Sequence, residues 1–129
     1  MADVLLDTTF FIDLRRGDPA ATQVWRQIER GELSAAYSSV TAYELWLSKR
    51  FERPDEMFFR SLFAFLEEEP LTAEAAAQAA VWLRPLPRKT RDRRLRDAFI
   101  AASAQARAEK VYTRNVADMR RYYANVTRY

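Results

Sequence analysis

Short apolar segments alternate with longer amphipathic segments along the chain, and this alternation constrains the fold more than any other feature. Residues 4–6 form an apolar run between two aspartates, which predicts a buried strand. Further strand candidates lie at residues 33–37, at 111–113 and around Val126. Strands that alternate with helices are typical of an α/β domain with a mainly parallel sheet. The 129 residues indicate one domain over residues 1–129, since domains usually span about 100–200 residues.

Helices dominate the prediction by length. In residues 19–30, Ala21, Val24, Trp25 and Ile28 recur at helical spacing on one face. Pro70 interrupts the pattern that begins at residue 54, so we expect the helix there to end at residue 69. The predicted helices cover residues 8–15, 19–30, 41–50, 54–69, 73–83, 94–109 and 116–122.

The basic residues are concentrated in one segment, residues 84–96. It holds seven of the 21 lysines and arginines and a single acid, Asp92, whereas the rest of the chain is slightly acidic. Pro85 and Pro87 predict an extended start, and we expect a loop. A cationic loop of this kind is suited to contacts with a phosphate backbone, although an ordinary solvated loop carries similar charges. The candidate phosphate contacts are Arg88, Lys89, Arg91, Arg93, Arg94 and Arg96.

The chain has no cysteine and no histidine. Disulfide scaffolds, zinc fingers, iron–sulfur clusters, cysteine nucleophiles and Ser-His-Asp triads are therefore excluded. Catalysis would have to rely on carboxylates, lysine, tyrosine, hydroxyls or a metal ion held by oxygen ligands. Oxygen ligands suit hard cations such as Mg²⁺ and Mn²⁺.

Several carboxylates follow predicted strands, where sites form in parallel α/β sheets. Asp7 follows the first strand, Glu44 follows the second, and Asp118 follows the strand at 111–113. Asp97 is expected in the first turn of the helix that leaves the basic loop. Each has a simpler interpretation: Asp7 as a helix cap, Glu44 in a capping box with Thr41, Asp97 as an acid at a helix start, and Asp118 as a solvated side chain. For Glu44 the simpler interpretation is disfavoured, because a lone charge among apolar neighbours is destabilising.

Four segments together resemble the motifs of PIN domains, and specifically those of the VapC-type toxins of toxin–antitoxin systems. They are Leu5–Leu14, Ser39–Leu45, Leu95–Ala104 and Tyr112–Met119, in the order the family has them and over nearly the whole chain. The resemblance implies a three-layer α/β/α fold with a short, mainly parallel sheet. It also implies an endoribonuclease that depends on Mg²⁺ or Mn²⁺ and inhibits translation.

The resemblance also assigns roles to residues. Asp7, Glu44 and Asp97 would be the metal ligands and catalytic carboxylates, and Thr9 and Asn115 would orient ligands or water. Asn115 stands where the family often has an aspartate, and Asp118 is a further catalytic acid that could supply the missing carboxylate. The implied partners are an RNA substrate, a cognate antitoxin and a second copy of the chain.

The sequence predicts a cytoplasmic protein without a membrane span or signal peptide, since no apolar run is long enough and the N-terminus lacks a basic region. Two other functions stay open. One is a non-catalytic RNA-binding module with a weakened metal site, for which Asn115 is the support. The other is an aspartate-based phosphotransfer domain. Thr9 stands where some such enzymes need a second aspartate, and Lys49, Lys89 and Lys110 are poorly placed for the required lysine.

Overall fold

The computed structural model describes residues 2–129, which form one five-stranded sheet whose strands are all parallel. The strand order is β3-β2-β1-β4-β5, so the first strand lies at the centre. In register, Leu6 stands opposite Tyr37 on one side and Tyr112 on the other. The strands are β1 (Val4–Leu6), β2 (Ala35–Ser38), β3 (Glu67–Glu69), β4 (Lys110–Tyr112) and β5 (Val126–Thr127).

Helices cover both faces of the sheet and produce the expected three layers. Helices α1 to α4 pack on the face to which Val4 and Leu6 contribute, and their core includes Phe10, Phe11 and Trp25. Helices α6 and α7 pack on the opposite face over Leu5, and α5 packs on α6 through alanines. The helices are α1 (Thr8–Arg15), α2 (Pro19–Glu29), α3 (Ser39–Trp46), α4 (Arg53–Phe63), α5 (Ala73–Leu83), α6 (Arg88–Arg107) and α7 (Val116–Arg120).

The apolar run at residues 4–6 is explained by this layering. Successive side chains of a strand point to opposite faces, and here both faces are covered, so β1 is fully buried without any polar position. The carboxyl end of this central strand therefore opens onto the edge of the sheet between β2 and β4, and whatever follows residue 6 lies at the middle of that edge.

The predicted helix over 54–69 is wrong at its C-terminal end. Helix α4 stops at Phe63, and Glu67–Glu69 is an edge strand paired with β2. Three consecutive glutamates favour a helix locally, but pairing with β2 overrides that preference. Two of these carboxylates find partners: Glu68 accepts a hydrogen bond from the Tyr37 hydroxyl at 2.9 Å, and Glu67 pairs with Arg107 at 3.3 Å.

The predicted basic loop is also wrong over most of its length. Only residues 84–87 lie outside helices, and α6 begins at Arg88 directly after Pro87. Proline suits this boundary because its missing N–H is not needed for a helical hydrogen bond. Asp97 consequently lies near the middle of α6, rather than in the first turn of a helix beginning at residue 94.

Two further glutamates are buried, one at the end of β3 and the other just before β4. Glu69 and Glu109 are 1% and 2% exposed. The nearest cation is Arg107, whose Nε lies 3.6 Å from Glu69. Burial first, and the adjacent Glu69 carboxyl second, raise the pKa of Glu109 to about 8. The folded protein therefore holds a proton on this pair at neutral pH.

The substitution Glu109→Gln is expected to stabilise the protein at alkaline pH. Between pH 4.5 and about 8 the folded state keeps a proton that the unfolded state releases, so the free energy of unfolding of the wild type falls as pH rises through this window. Urea unfolding at pH 5 and pH 8 should show a weaker pH dependence for the variant and a gain of about 1 kcal/mol at pH 8.

The exposed Glu29, which lies on α2, provides the control. Glu29→Gln should follow the wild-type pH dependence. A Glu109→Gln protein whose unfolding free energy falls with pH as steeply as that of the wild type would contradict the assignment.

Candidate active site

Asp7 lies at the carboxyl end of the central strand and is held by two hydroxyls. Its backbone N–H donates to the Tyr112 carbonyl at 2.9 Å, which fixes it between β1 and β4. Its Oδ2 accepts hydrogen bonds from Thr113 Oγ1 at 2.7 Å and from Thr9 Oγ1 at 3.0 Å. Although Asp7 is the residue that precedes α1, its side chain makes no capping hydrogen bond. The helix-cap interpretation is therefore wrong, and the carboxylate is oriented by hydroxyls.

Asp7 is 3% exposed, and this burial raises the pKa of its carboxyl, while the hydrogen bonds from Thr113 and Thr9 lower it in part. Desolvation is the larger effect. A buried carboxylate without a paired cation is unfavourable, so the position favours a cationic partner.

Glu44 projects from α3 with both carboxylate oxygens engaged. Oε1 accepts a hydrogen bond from Thr8 Oγ1 at 2.7 Å, and Oε2 lies 3.1 Å from Arg96 Nε. Helix α3 is capped by the Ser38 side chain, one turn before the expected position, so Glu44 and Thr41 do not form a capping box. The hydroxyl of Thr41 instead lies 3.0 Å from Thr8 Oγ1 and hydrogen-bonds to it, which positions the threonine that donates to Glu44.

Asp97 interacts electrostatically with the other three predicted carboxylates. Burial first, and then the charges of Asp7, Asp118 and Glu44, raise its pKa to about 6, while the nearby Arg96 lowers it. The acids separated by up to 111 positions in the sequence are therefore brought within electrostatic range at one edge of the sheet. Their individual catalytic roles stay predictions.

The two remaining predicted residues lie at the edge of this group. Asp118 on α7 is half-buried and lies 3.4 Å from Arg121 Nη2. Asn115 is exposed, and it contributes its backbone N–H, which donates to Thr113 Oγ1 at 3.0 Å. Of the two predicted positioning residues, Thr9 touches Asp7 directly, whereas Asn115 acts on Thr113 through its main chain.

Sequence reasoning missed the threonines that do most of the positioning. Their positions in the sequence were the available signal, because Thr113 lies inside the fourth motif and Thr8 directly follows Asp7. It also missed a supporting layer around the buried Asp13. Arg114 Nη1 donates to Asp13 Oδ1 at 2.5 Å and Tyr129 donates its hydroxyl to Asp13 Oδ2, while the Arg114 N–H donates to Thr9 Oγ1 at 3.1 Å. No spacing in the sequence relates these residues.

The basic residues form an exposed surface over the first turns of α6. We call this surface, made of Arg88, Lys89, Arg91 and Arg93, the α6 cationic face; all four side chains are exposed. Arg94 is half-buried, and its Nε has no hydrogen-bond partner within residues 2–129. Arg96, the last member of the predicted set, reaches Glu44 instead. Helix α6 therefore carries both the cationic face and Asp97, a member of the acidic group.

The donor set fits a hard divalent cation. It consists of carboxylate oxygens supported by hydroxyls, which is the chemistry that Mg²⁺ and Mn²⁺ prefer. Over residues 2–129, no three acidic side chains stand at the spacing of a closed metal site. Both oxygens of Glu44 have partners, Thr8 for Oε1 and Arg96 for Oε2. Burial first, and then repulsion from the other acids, raise the pKa of Asp97, and a bound divalent cation would relieve that repulsion.

Comparison with protein families gives a match to the PIN domain over residues 4–125. The chain belongs to the PIN-domain family. Comparison with curated protein sequences gives no match. The resemblance of the four motifs is therefore confirmed at the level of the family, and so is the three-layer α/β/α fold with its parallel sheet.

Several solved structures have the same fold. One, from a toxin–antitoxin complex of Klebsiella pneumoniae, has a TM-score of 0.73 at 24% identity, with 96% of this PIN domain and 95% of that chain covered. A DNA-bound VapBC of Salmonella typhimurium gives 0.75 at 20% identity, with coverages of 100% and 98%. FitAcB of Neisseria gonorrhoeae gives 0.70 at 18% identity, with coverages of 95% and 95%. Within residues 2–129, no helix is long and apolar enough to cross a membrane.

The substitution Asp97→Asn is expected to stabilise the metal-free PIN domain. At pH 8 the wild-type carboxylate is charged among three other acids, and the neutral amide removes that repulsion. After allowance for solvent screening we expect a gain of about 1–2 kcal/mol, measured by thermal or urea unfolding in EDTA. Excess Mn²⁺ should raise the melting temperature of the wild type and leave that of the variant nearly unchanged.

Asp92→Asn, an exposed position on the same helix, is the matched control and should behave as the wild type in both conditions. An Asp97→Asn protein that is less stable than the wild type in EDTA would show that Asp97 supports the fold rather than a cation site.

Proposed function

We propose that this PIN domain is an endoribonuclease that depends on Mg²⁺ or Mn²⁺ and acts as the toxin of a toxin–antitoxin pair. The observation that supports it best is the convergence of Asp7, Glu44 and Asp97 at one edge of the sheet, with hydroxyls that orient two of them. PIN domains are generally nucleases, and this site contains oxygen donors of the kind that their chemistry requires.

The chain's own residues prepare the site for hydrolysis of a phosphodiester. Thr9 and Thr113 hold one oxygen of Asp7, and Thr8 holds one oxygen of Glu44, so two carboxylates are oriented before any substrate arrives. A divalent cation bound there would polarise the scissile phosphate and lower the pKa of water. Asp97 and Asp118 extend the acidic group toward α7, where Asp118 is the fourth carboxylate in place of the one that Asn115 lacks.

The α6 cationic face supports a nucleic-acid substrate. A group of carboxylates repels phosphate, and a stripe of exposed cations on the adjoining helix offsets that repulsion and aligns the backbone. RNA, rather than DNA, is proposed on the resemblance of the four motifs to VapC-type toxins. Cleavage of RNA needed for protein synthesis would inhibit translation in the cytoplasm.

An antitoxin and a second copy of the chain are the proposed protein partners. The chains of similar fold come from toxin–antitoxin complexes, which supports the first. Exposed apolar side chains beside the site support the second: Tyr43 on α3, Leu47 directly after α3 and Leu95 on α6 are 60%, 55% and 39% exposed. Exposed apolar surface of this kind is typical of interaction sites.

A non-catalytic RNA-binding module is the remaining alternative. The observations that favour it are the exposed Asn115 and the engagement of Glu44 by Arg96. An aspartate-based phosphotransfer domain has no comparable support, because the chain belongs to the PIN-domain family.

The substitution Asp7→Asn is expected to abolish RNA cleavage and to preserve the fold. The amide keeps the size of the side chain but loses the charge at the best-ordered position of the site. We expect a loss of cleavage of at least about a hundredfold in Mg²⁺ or Mn²⁺, assayed on total RNA by gel and by sequencing of the new RNA ends. Unchanged circular dichroism would show that the fold persists.

Asp3→Asn is the matched control, because Asp3 is exposed and precedes the same strand at its opposite end. Undiminished cleavage by purified Asp7→Asn would overturn the assignment of Asp7. If the wild type binds RNA but does not cleave it in either metal, the non-catalytic alternative is the correct one.

The double substitution Arg88→Gln/Arg91→Gln is expected to weaken RNA binding and its salt dependence. Removing two phosphate contacts should reduce the slope of log Kd against log salt concentration by about 1.4, since single-stranded nucleic acid releases about 0.7 ions per contact. Fluorescence anisotropy with a labelled single-stranded RNA would measure this. Arg26→Gln/Arg30→Gln, on exposed positions around the end of α2, is the charge-matched control. An equal loss of slope in that control would contradict the role of α6.

A further inference from the structure

Arg96 makes a contact that separates it from the rest of the basic segment. Its Nε lies 3.1 Å from Glu44 Oε2, and the two side chains are 47% and 21% exposed. Among the residues described, no other lysine or arginine forms an ion pair with Asp7, Glu44 or Asp97. The neighbouring residue in the chain is Asp97 itself, so one turn of α6 brings both a carboxylate and a cation to the site.

The contact engages the second oxygen of Glu44. Oε1 already accepts from Thr8 at 2.7 Å, so Glu44 has no unengaged oxygen while Arg96 stays in place. A guanidinium carries only donors and cannot ligate a metal ion. A divalent cation on Glu44 would place a second positive charge beside the Arg96 guanidinium, so the two cations compete electrostatically for this carboxylate.

We propose that Arg96 is the resident counter-cation of the carboxylate site, which neutralises Glu44 when no metal is bound and transfers to a substrate phosphate when metal binds. The inference rests on the proposed function and adds a positioning residue to it. Arg96 thereby couples the metal site to the α6 cationic face.

The exchange is physically reasonable at this position. Arg96 is nearly half exposed, so its long side chain can move without disturbing the core, and a pair this exposed is held weakly. The guanidinium fork matches two oxygens of a phosphate as well as it matches a carboxylate. Arrival of a divalent ion repels the guanidinium from Glu44, and arrival of RNA supplies its new partner. Without Arg96, the metal would bind more tightly and the RNA more weakly.

The first test measures metal binding alone, by isothermal titration of the RNA-free wild type with Mn²⁺. Arg96→Gln should tighten the Kd for Mn²⁺ by about three- to tenfold, which corresponds to removal of a partly exposed ion pair that competes with the metal. Arg50→Gln removes an exposed charge just beyond α3, the helix that carries Glu44; Arg50 forms no ion pair among residues 2–129, and the Kd of this variant should stay within about twofold of the wild type.

A double-mutant cycle with Glu44→Gln separates the ion pair from general charge repulsion. In the Glu44→Gln background there is no carboxylate at position 44 for Arg96 to pair with, so adding Arg96→Gln should change the Kd for Mn²⁺ no more than Arg50→Gln does. An undiminished effect of Arg96→Gln in that background would overturn the proposal, as would equal Mn²⁺ affinities of the wild type and Arg96→Gln.

The second test measures the substrate side. With a labelled RNA at saturating Mn²⁺, Arg96→Gln should raise KM about tenfold, because one charge-assisted phosphate contact is lost, and Arg96→Lys should recover part of it. A variant with an unchanged KM would overturn the transfer to phosphate. Failure of the proposed function has a different signature: wild type that neither binds Mn²⁺ nor cleaves RNA would overturn both proposals, whereas cleavage by a wild type whose Mn²⁺ affinity matches that of Arg96→Gln would overturn this one alone.

Discussion

The structure of this PIN domain is organised around the mutual repulsion of carboxylates that are shielded from water. Asp7 is buried at the end of the central strand, and Asp97 carries a raised pKa because it is largely buried and because three other acids lie near it. Such an arrangement is unfavourable unless cations and hydrogen-bond donors compensate. The threonines, Arg96 and the parallel sheet can each be understood as part of that compensation.

The sheet determines where Asp7 lies, and threonine hydroxyls orient its carboxylate. Since β1 is buried on both faces, the first polar position after it, Asp7, comes at the middle of the carboxyl edge between β2 and β4. Thr9 and Thr113 then bind a single oxygen of that carboxylate. Beneath them, the side chain of Asp13 ties α1 to Arg114 and Tyr129, so the loop after β4 cannot shift without displacing Thr9. Orientation of the acids is therefore built from neutral donors, and this leaves their negative charge available to a metal.

Much of the fold and the membership of the acidic group could be predicted from the sequence, because both depend on local signals. An apolar run of three residues, an aspartate that follows it and an apolar helix face interrupted by Glu44 can be seen without knowing the tertiary structure. The edge strand Glu67–Glu69 could not be seen, since three glutamates become a strand only through pairing with β2. The prediction for the basic segment was wrong for a related reason. Its prolines indicated a loop, but the second of them, Pro87, directly precedes the first residue of α6. The pairing of Arg96 with Glu44 joins residues 52 positions apart and has no signature in either segment.

The link between Asp7 and Thr113 spans 106 positions, and it bears on when the site forms during synthesis. Asp7 is synthesised well before β4 and Thr113, which supply one of its flanking strands and one of its two hydroxyl donors. Parallel pairing of distant strands forms late, because the intervening chain must first be ordered. A nascent chain that has not reached β4 therefore carries the aspartate without the geometry around it. Under the proposed function, a site that is assembled only after β4 has been made delays RNA cleavage until then, and this protects the ribosome and the message that are making the chain.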